Sequence, residues 1–222
     1  MDIKGLIKTI TEPFVRTYQN WRHEKVVTYS YNDLTVNILP GVFSPVIHYS
    51  TGFFLDYIKN LDLTNKTVLE LGCGSGIISV ISESKGGIVT ASDVNEVAIT
   101  ELTARVRDEN LNVIVVYSDL FENLHFHFDY IFINPPTLCK TPKSINDKST
   151  MAGESFEYFD RLFAQLKVRT LRETEVLMIL PEEAELFSVN RRAKSHHLKL
   201  KTQKVMSAGL NRAVVYRVVA HD

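Results

Sequence analysis

The sequence predicts an α/β protein built on a doubly wound, mostly parallel sheet. Short apolar runs alternate with helical patterns, a glycine turn joins one run to an amphipathic helix, and two β-prone runs lie near the end. The 222 residues suffice for a substantial core. Hydrophobic residues make up 45% and the net charge is −1, which predicts a soluble globular protein with no global attraction to nucleic acid or membrane.

The first 44 residues are predicted to form an extension, and residues 45–222 the main domain. Apolar residues at helical spacing predict a helix over Met1–Asn20. Trp21 is expected to pack this layer onto the main domain. Two β-prone runs, Val26–Tyr31 and Leu34–Leu39, flank Asn32-Asp33 and predict a β-hairpin.

The stretch Thr67–Gly76 organises the main domain. A short apolar run, as in a buried parallel strand, leads into three glycines at alternate positions, and a helical pattern follows from Ile77. Glycine lets the backbone take positive φ and lie against a ligand. In a doubly wound sheet such a turn sits at the carboxyl end of a strand, where ligands bind. The glycines are Gly72, Gly74 and Gly76.

The glycine spacing differs from the dinucleotide-binding fingerprint, because Ile77 stands where that pattern has its last glycine. With Glu70 inside the strand, the stretch resembles motif I of class I S-adenosylmethionine-dependent methyltransferases. The resemblance implies a Rossmann-like seven-stranded sheet with a C-terminal antiparallel hairpin, and S-adenosyl-L-methionine as cofactor. It assigns the methionine end of the cofactor to Glu70 and the three glycines. Cys73, between two of them, is explained by packing or ligand contact.

A second segment narrows the resemblance. Gly-Val-Phe-Ser at 41–44, followed by a small polar residue and an apolar helix, is similar to the small-domain methyltransferases, which include release-factor glutamine and ribosomal RNA base methyltransferases. In that family the segment covers the cofactor, which makes Phe43, Ser50 and Thr51 candidate lining residues. Alternatively, Ser50 or Thr51 simply caps a helix predicted over Tyr49–Asn60.

Two acidic residues follow the next predicted strands. Asp93 ends the strand that begins at Ile88, where a carboxylate can accept bonds from both ribose hydroxyls. The alternative for Asp93 is a helix N-cap, a role that Asn95 could fill instead. After a strand at Val113–Val116, the resemblance assigns Asp119 to the adenine amino group and the Leu120 backbone N–H to the ring. The alternative for Asp119 is a solvent-exposed loop position.

Asn134-Pro135-Pro136 ends the fourth predicted strand, Asp129–Ile133. Two prolines in succession hold Asn134 and the Pro135 carbonyl rigidly. An amino or amide nitrogen could donate to both oxygens, which would aim its lone pair at the methyl group. The tripeptide resembles the Asn-Pro-Pro-aromatic motif of amino-methylating enzymes. Thr137 departs from it, because threonine cannot stack on a flat target, so Phe43, Phe156 or Tyr158 would have to supply a ring.

The remaining chain is predicted to complete the sheet and the rim of the site. Residues 138–154 form a long polar loop, expected to bind substrate. A helix over 153–167 and a strand over 176–180 follow, and Pro181 is expected to start another helix. Two final strands, 198–206 and 212–219, predict the antiparallel hairpin. The basic stretch 191–204 is either an RNA contact or, as we favour, a solvated helix face and edge strand.

Metal and membrane sites are not predicted. The two cysteines, Cys73 and Cys139, are not spaced as a metal site, and His125 and His127, which stand among phenylalanines, are interpreted as partly buried loop residues rather than metal ligands. Near the N-terminus, lysines and acidic residues stand where a signal peptide would have its apolar core, which predicts a cytoplasmic protein.

The sequence thus predicts an S-adenosylmethionine-dependent N-methyltransferase acting on an amide or amino nitrogen of a protein or RNA. Two alternatives are an NAD-dependent oxidoreductase, which would not need the Asn-Pro-Pro tripeptide, and a catalytically silent cofactor-binding partner protein, which Thr137 favours.

Overall fold

The computed structural model describes residues 26–45, 48–125, 127–168 and 173–221. The helix predicted over residues 1–20 and the packing of Trp21 lie outside these residues. The predicted hairpin is confirmed: strands β1 (Val27–Tyr31) and β2 (Leu34–Ile38) pair antiparallel, with Tyr31 opposite Leu34. Val36 and Ile38 are buried in the same hydrophobic cluster as the main sheet. The domain boundary at residue 44 stays a prediction.

The main sheet has seven strands among the described residues, which confirms the predicted Rossmann-like architecture. The strands and helices run in the order α1 (Tyr49–Ile58), β3 (Thr67–Leu71), α2 (Ile77–Ser84), β4 (Ile88–Asp93), α3 (Glu96–Asp108), β5 (Val113–Tyr117), β6 (Tyr130–Ile133), α4 (Glu157–Val168), β7 (Glu175–Pro181), α5 (Leu186–Ser195), β8 (Leu198–Ala208) and β9 (Asn211–Ala220). A short 3₁₀ turn spans Asp147–Ser149.

The strand order is β5-β4-β3-β6-β7-β9-β8. Strands β3 to β7 are parallel to their neighbours within the set, while β9 is antiparallel to both β7 and β8, which is the predicted C-terminal hairpin. The chain leaves β3 toward β4 on one side and later returns to β6 on the other. Such a reversal of strand order opens a crevice at the carboxyl ends of the two strands.

Two hydrophobic clusters cover the two faces of the sheet. Helices α1, α2 and α3 bury residues such as Phe54, Ile77 and Leu102 on one face. Helices α4 and α5 bury Phe159 and Val189, among others, on the other face. Because both faces are covered, the central strands can be mainly apolar, as in β3, where Val68, Leu69 and Leu71 surround the single carboxylate Glu70.

Two local predictions are wrong. Neither Ser50 nor Thr51 caps α1, because the N-cap residue is His48, which makes no side-chain cap bond. Pro181 does not start a helix: it is the last residue of β7, paired with Ala213, and α5 begins at Leu186. Proline is tolerated at that strand end, where the sheet ladder stops.

Candidate active site

The crevice lies where β3 and β6 end side by side. Leu71 pairs with Ile133 in the parallel register, so Gly72 and Asn134 are the next residues on adjacent strands. Both border one cavity of about 440 Å³. This volume is within the range of small-molecule sites. The sequence-predicted residues that line it are Phe43, Thr51, Glu70, Gly72, Cys73, Gly74, Asp93, Asp119, Leu120, Asn134 and Pro136.

The remaining predicted residues lie beside the cavity without lining it. Pro135 is buried between two lining residues, and Ser50 is buried behind Asn134. Gly76 faces α3: a Cβ placed on it would lie 2.4 Å from Leu102 Cδ1. The third glycine of the turn therefore serves helix packing in this structure.

The glycine turn is tied to β4 by its backbone. Gly72 and Cys73 donate their N–H groups to the Ser92 carbonyl at 2.8 and 2.9 Å, and Gly76 donates to the Cys73 carbonyl at 2.8 Å. Gly72 has φ +78°. A Cβ on Gly72 would meet no atom within 4 Å. The turn thus leaves open space beside the cavity wall, which a ligand can occupy at close range.

Asp93 is held between the glycine turn and the start of α3. Its Oδ2 accepts from the Gly74 N–H at 2.8 Å, and its Oδ1 accepts from the Asn95 N–H at 2.9 Å. Asn95, rather than Asp93, is the N-cap, since its side chain accepts from the Val97 N–H. Burial raises the pKa of Asp93 although these backbone bonds oppose the shift. Each carboxylate oxygen keeps acceptor capacity for a hydroxyl group in the cavity.

Asp119 borders the cavity two residues after the end of β5. Its carboxylate is 3.1 Å from Arg161 and 3.9 Å from Lys148, and its side chain is 27% exposed. Leu120 has φ +51°, unusual for a residue with a Cβ. The Ser118 hydroxyl donates to the Leu120 carbonyl at 2.9 Å, which holds this turn in place. Strained backbone of this kind is common at ligand sites.

Several lining residues were not foreseen from sequence. Arg161 and Lys148 border the cavity together with Ile145 and Met151 from the long loop. Tyr158, considered only as a stacking ring, also lines it, whereas Phe156 is buried in the core. Tyr158 and Arg161 are three residues apart and therefore share one face of α4. A polar i, i+3 pair directly after the predicted rim loop is the signal that could have identified them.

The loop 138–154 closes one side of the cavity. Thr137 and Leu138 both donate to the Thr150 carbonyl, at 3.1 and 2.9 Å, which joins the two ends of the loop. At its tip, the Asn146 side chain lies 2.8 Å from where a Cβ of Gly41 would be. The loop therefore spans from the Asn-Pro-Pro turn to the segment before α1.

Glu70 is the buried carboxylate of the site. It is 3% exposed, and its Oε2 accepts from the backbone N–H of Ser79 at 2.7 Å and from the Ser79 hydroxyl. Burial raises the pKa of Glu70 from 4.5 to about 8, and the neighbouring Asp93 adds to the shift. The bonds from Ser79 oppose it but do not cancel it.

We therefore expect the Glu70→Gln substitution to stabilise the protein progressively as pH rises. The native state holds the Glu70 proton up to about pH 8, whereas the unfolded chain releases it near 4.5, so ionisation destabilises the fold between these values. Relative to wild type, the variant should gain roughly 2–4 kcal/mol in unfolding free energy between pH 5 and pH 9. Chemical denaturation at both pH values measures this. A difference independent of pH would contradict a buried, protonated Glu70.

The described residues offer no metal site and no membrane span. None of their histidines, cysteines and carboxylates form a group of three or more that could hold a metal ion. Within the same part of the chain, no helix is both long and apolar enough to cross a bilayer. Cys73 is buried, and desolvation raises the pKa of its thiol well above the ordinary value.

Comparison with known proteins matches the region that builds this cavity. A family model described as "Methyltransferase small domain" matches residues 33–152. A Methanocaldococcus jannaschii protein named "Putative protein N5-glutamine methyltransferase" is 40% identical over 93 residues, 41% of this chain and 46% of that protein. The ribosomal RNA small subunit methyltransferase C of Haemophilus ducreyi is 33% identical over 112 residues, 49% of this chain and 34% of that protein. The chain therefore spans less than half the length of these relatives.

A solved structure shares the fold across most of the chain. The T. thermophilus 16S rRNA N2 G1207 methyltransferase, in complex with AdoMet and guanosine, has a TM-score of 0.60 at 15% identity. The match covers 89% of this chain and 50% of that one. At this identity, the likeness concerns the arrangement of strands and helices.

Proposed function

Since the chain belongs to the methyltransferase small domain family, we propose that it is an S-adenosylmethionine-dependent methyltransferase that methylates an amide or amino nitrogen of a protein or RNA. The observation that carries the proposal is the shared cavity: Gly72 and Asn134 directly follow two adjacent strands and border the same space. The named activities of the relatives, on a glutamine and on ribosomal RNA, agree with this range of acceptors.

The residues of the cavity fit the proposed cofactor. The open space at Gly72 accommodates close approach of a ligand, and Asp93 keeps acceptor capacity for two ribose hydroxyls. We assign the methionine end to Glu70, Gly72, Cys73 and Gly74, and the adenine end to Asp119 and Leu120. Asp119 would then accept from the adenine amino group beside its existing ion pair with Arg161.

Asn134, Pro135 and Pro136 are proposed to hold the acceptor. When bound, S-adenosylmethionine supplies an activated methyl group on a sulfonium. The chain's task is to place a nitrogen in line with it, with two bonds donated to the Asn134 side-chain oxygen and the Pro135 carbonyl. Positioning of this kind can contribute on the order of 7–11 kcal/mol. No general base is assigned, since the acceptor nitrogen can lose its proton after transfer.

We expect the Asp93→Ala substitution to weaken S-adenosylmethionine binding at least about 30-fold, because two charge-assisted bonds of roughly 1–2 kcal/mol each are lost. Isothermal titration calorimetry measures the effect. Asp108→Ala, at the exposed end of α3, is the matched control and should keep wild-type affinity. Equal affinity of wild type and Asp93→Ala would contradict the assigned ribose site.

The acceptor class is tested by transfer of a labelled methyl group into cell extract. The extract is treated with protease or nuclease in parallel arms, and loss of label in one arm identifies protein or RNA. A thermal-shift comparison with NAD separates the oxidoreductase alternative. If the protein binds S-adenosylmethionine and no arm is labelled, the silent partner alternative replaces our proposal.

A further inference from the structure

We propose that Ser50 and Thr51 are positioning residues that fix the orientation of the Asn134 side-chain amide. The proposal rests on the proposed function and assigns these two residues a role in it. Asn134 Oδ1 accepts a bond from the Ser50 hydroxyl at 3.2 Å. Asn134 Nδ2 donates to the Thr51 hydroxyl at 3.0 Å. Both ends of the amide are therefore held by the first turn of α1.

The orientation matters because the two ends of an asparagine amide have opposite hydrogen-bonding character. Oδ1 accepts with two lone pairs, and Nδ2 donates two N–H groups. The two hydroxyls engage one lone pair and one N–H, which leaves one of each. The NH2 group that receives the methyl group donates its hydrogen bond to Oδ1. An Asn134 amide turned by 180° would present Nδ2, a second donor, to this NH2 group. Rotation of the amide would break both bonds, and to re-form them both hydroxyls would have to exchange their donor and acceptor roles, so the two bonds from one helical turn oppose that rotation.

The surroundings of the hydroxyls favour a role in orientation over general packing. Ser50 is 6% exposed and Thr51 is 3% exposed, so water does not compete for these bonds. Neither residue caps α1, whose N-cap residue is His48. Pro135 restricts the backbone of Asn134 from the other side. The amide is thus fixed through its main chain by the prolines and through its side chain by α1.

The two residues differ in their access to the cavity. Thr51 lines the cavity, whereas Ser50 does not and reaches it only through Asn134. Removing the Ser50 hydroxyl should therefore leave cofactor contacts intact and change only the amide. This separation makes Ser50→Ala the informative variant, and Thr51→Val, of nearly equal volume, the second one.

The experiment measures two quantities for each variant: the Kd for S-adenosylmethionine by calorimetry, and the kcat for labelled-methyl transfer into the extract fraction that wild type labels. For Ser50→Ala we expect kcat to fall about 10–100-fold with Kd within about twofold of wild type, since a displacement of about 1 Å can cost 10²-fold. Thr51→Val should lower kcat similarly, and Thr51→Ser, which keeps the hydroxyl, should restore it. Ser82→Ala is the control, since Ser82 is buried and its hydroxyl donates to the Ile78 carbonyl within α2.

A double-mutant cycle completes the test. Because Ser50 acts through Asn134, the Ser50→Ala/Asn134→Ala double variant should be no slower than Asn134→Ala alone. Three outcomes would overturn the inference while leaving the proposed function in place. The first is a wild-type kcat in both Ser50→Ala and Thr51→Val, and the second is additive losses of kcat in the cycle. The third is a loss of cofactor affinity in Ser50→Ala that parallels its loss of kcat. Cofactor binding without any transfer by wild type would instead remove the proposed function, and the inference with it.

Discussion

Replacing Asn134 with alanine should reduce methyl transfer by roughly 100- to 1,000-fold while the protein still binds S-adenosylmethionine. The Asn134 oxygen is one of two acceptors proposed to hold the nitrogen in line, and an effect of this size corresponds to about 3–4 kcal/mol of transition-state stabilisation. Cofactor affinity should change by less than about threefold, because the residues assigned to the ribose and the adenine lie at the end of β4 and just after β5. Labelled-methyl transfer and calorimetry on the same preparation measure both effects.

The matched control for this variant is Asn112→Ala. Asn112 is exposed and directly precedes β5, at the opposite edge of the parallel sheet from Asn134. The same chemical change there should alter neither transfer nor cofactor binding. If Asn134→Ala lost cofactor affinity as severely as Asp93→Ala, the proposal that Asp93 binds the cofactor while Asn134 holds only the methyl acceptor would be incorrect.

The parts of the site that sequence predicted are those that a short stretch of chain determines. The strand, glycine turn and helix from Thr67 onward are adjacent in sequence, and so are β4 and Asp93. In a parallel sheet all carboxyl ends meet at one edge, so these tips had to lie near one another once the fold was identified. The shared cavity of Gly74 and Asn134 follows from that rule.

The parts that sequence did not predict depend on contacts between distant segments. Ser50 and Thr51 resembled a helix cap because Ser and Thr favour that position. Their hydroxyls instead bond to Asn134, more than 80 residues away in the chain. Gly76 belonged to the motif by spacing, and only the position of α3 shows that its open side faces Leu102. No local pattern encodes such pairings.

The basic stretch 191–204 illustrates a case in which the simpler interpretation agrees with the structure. It forms much of α5 and the first part of β8, which is an edge strand of the sheet. Arg192 Nη2 donates to the Ser155 carbonyl at 2.7 Å, and its Nη1 lies 3.8 Å from Asp160. This arginine joins α5 to the start of α4, and lysines along an edge discourage strand addition.

Three of the glycines with left-handed backbone should differ sharply in the stability and binding that they lose on substitution by alanine, a ranking that the sequence alone does not give. Gly72, Gly76 and Gly209 have φ of +78°, +71° and +59°, so each change carries a backbone penalty of about 1–2 kcal/mol. At Gly76 the new Cβ also meets the buried Leu102 side chain at 2.4 Å, and overpacking adds about 1–3 kcal/mol. Gly76→Ala should therefore lower the unfolding free energy by about 2–5 kcal/mol.

Gly72→Ala and Gly209→Ala form a matched pair, because a Cβ at either position meets no atom within 4 Å. Both should lose only about 1–2 kcal/mol of stability. Gly209 lies in the turn between β8 and β9, whereas Gly72 borders the cavity, so only Gly72→Ala places a methyl group where the cofactor is proposed to lie. We expect its affinity for S-adenosylmethionine to fall more than about 30-fold, with that of Gly209→Ala unchanged, as measured by calorimetry beside denaturant unfolding. If Gly72→Ala binds S-adenosylmethionine as tightly as wild type, the cofactor does not occupy the space beside this turn, because the new methyl group would otherwise clash with it.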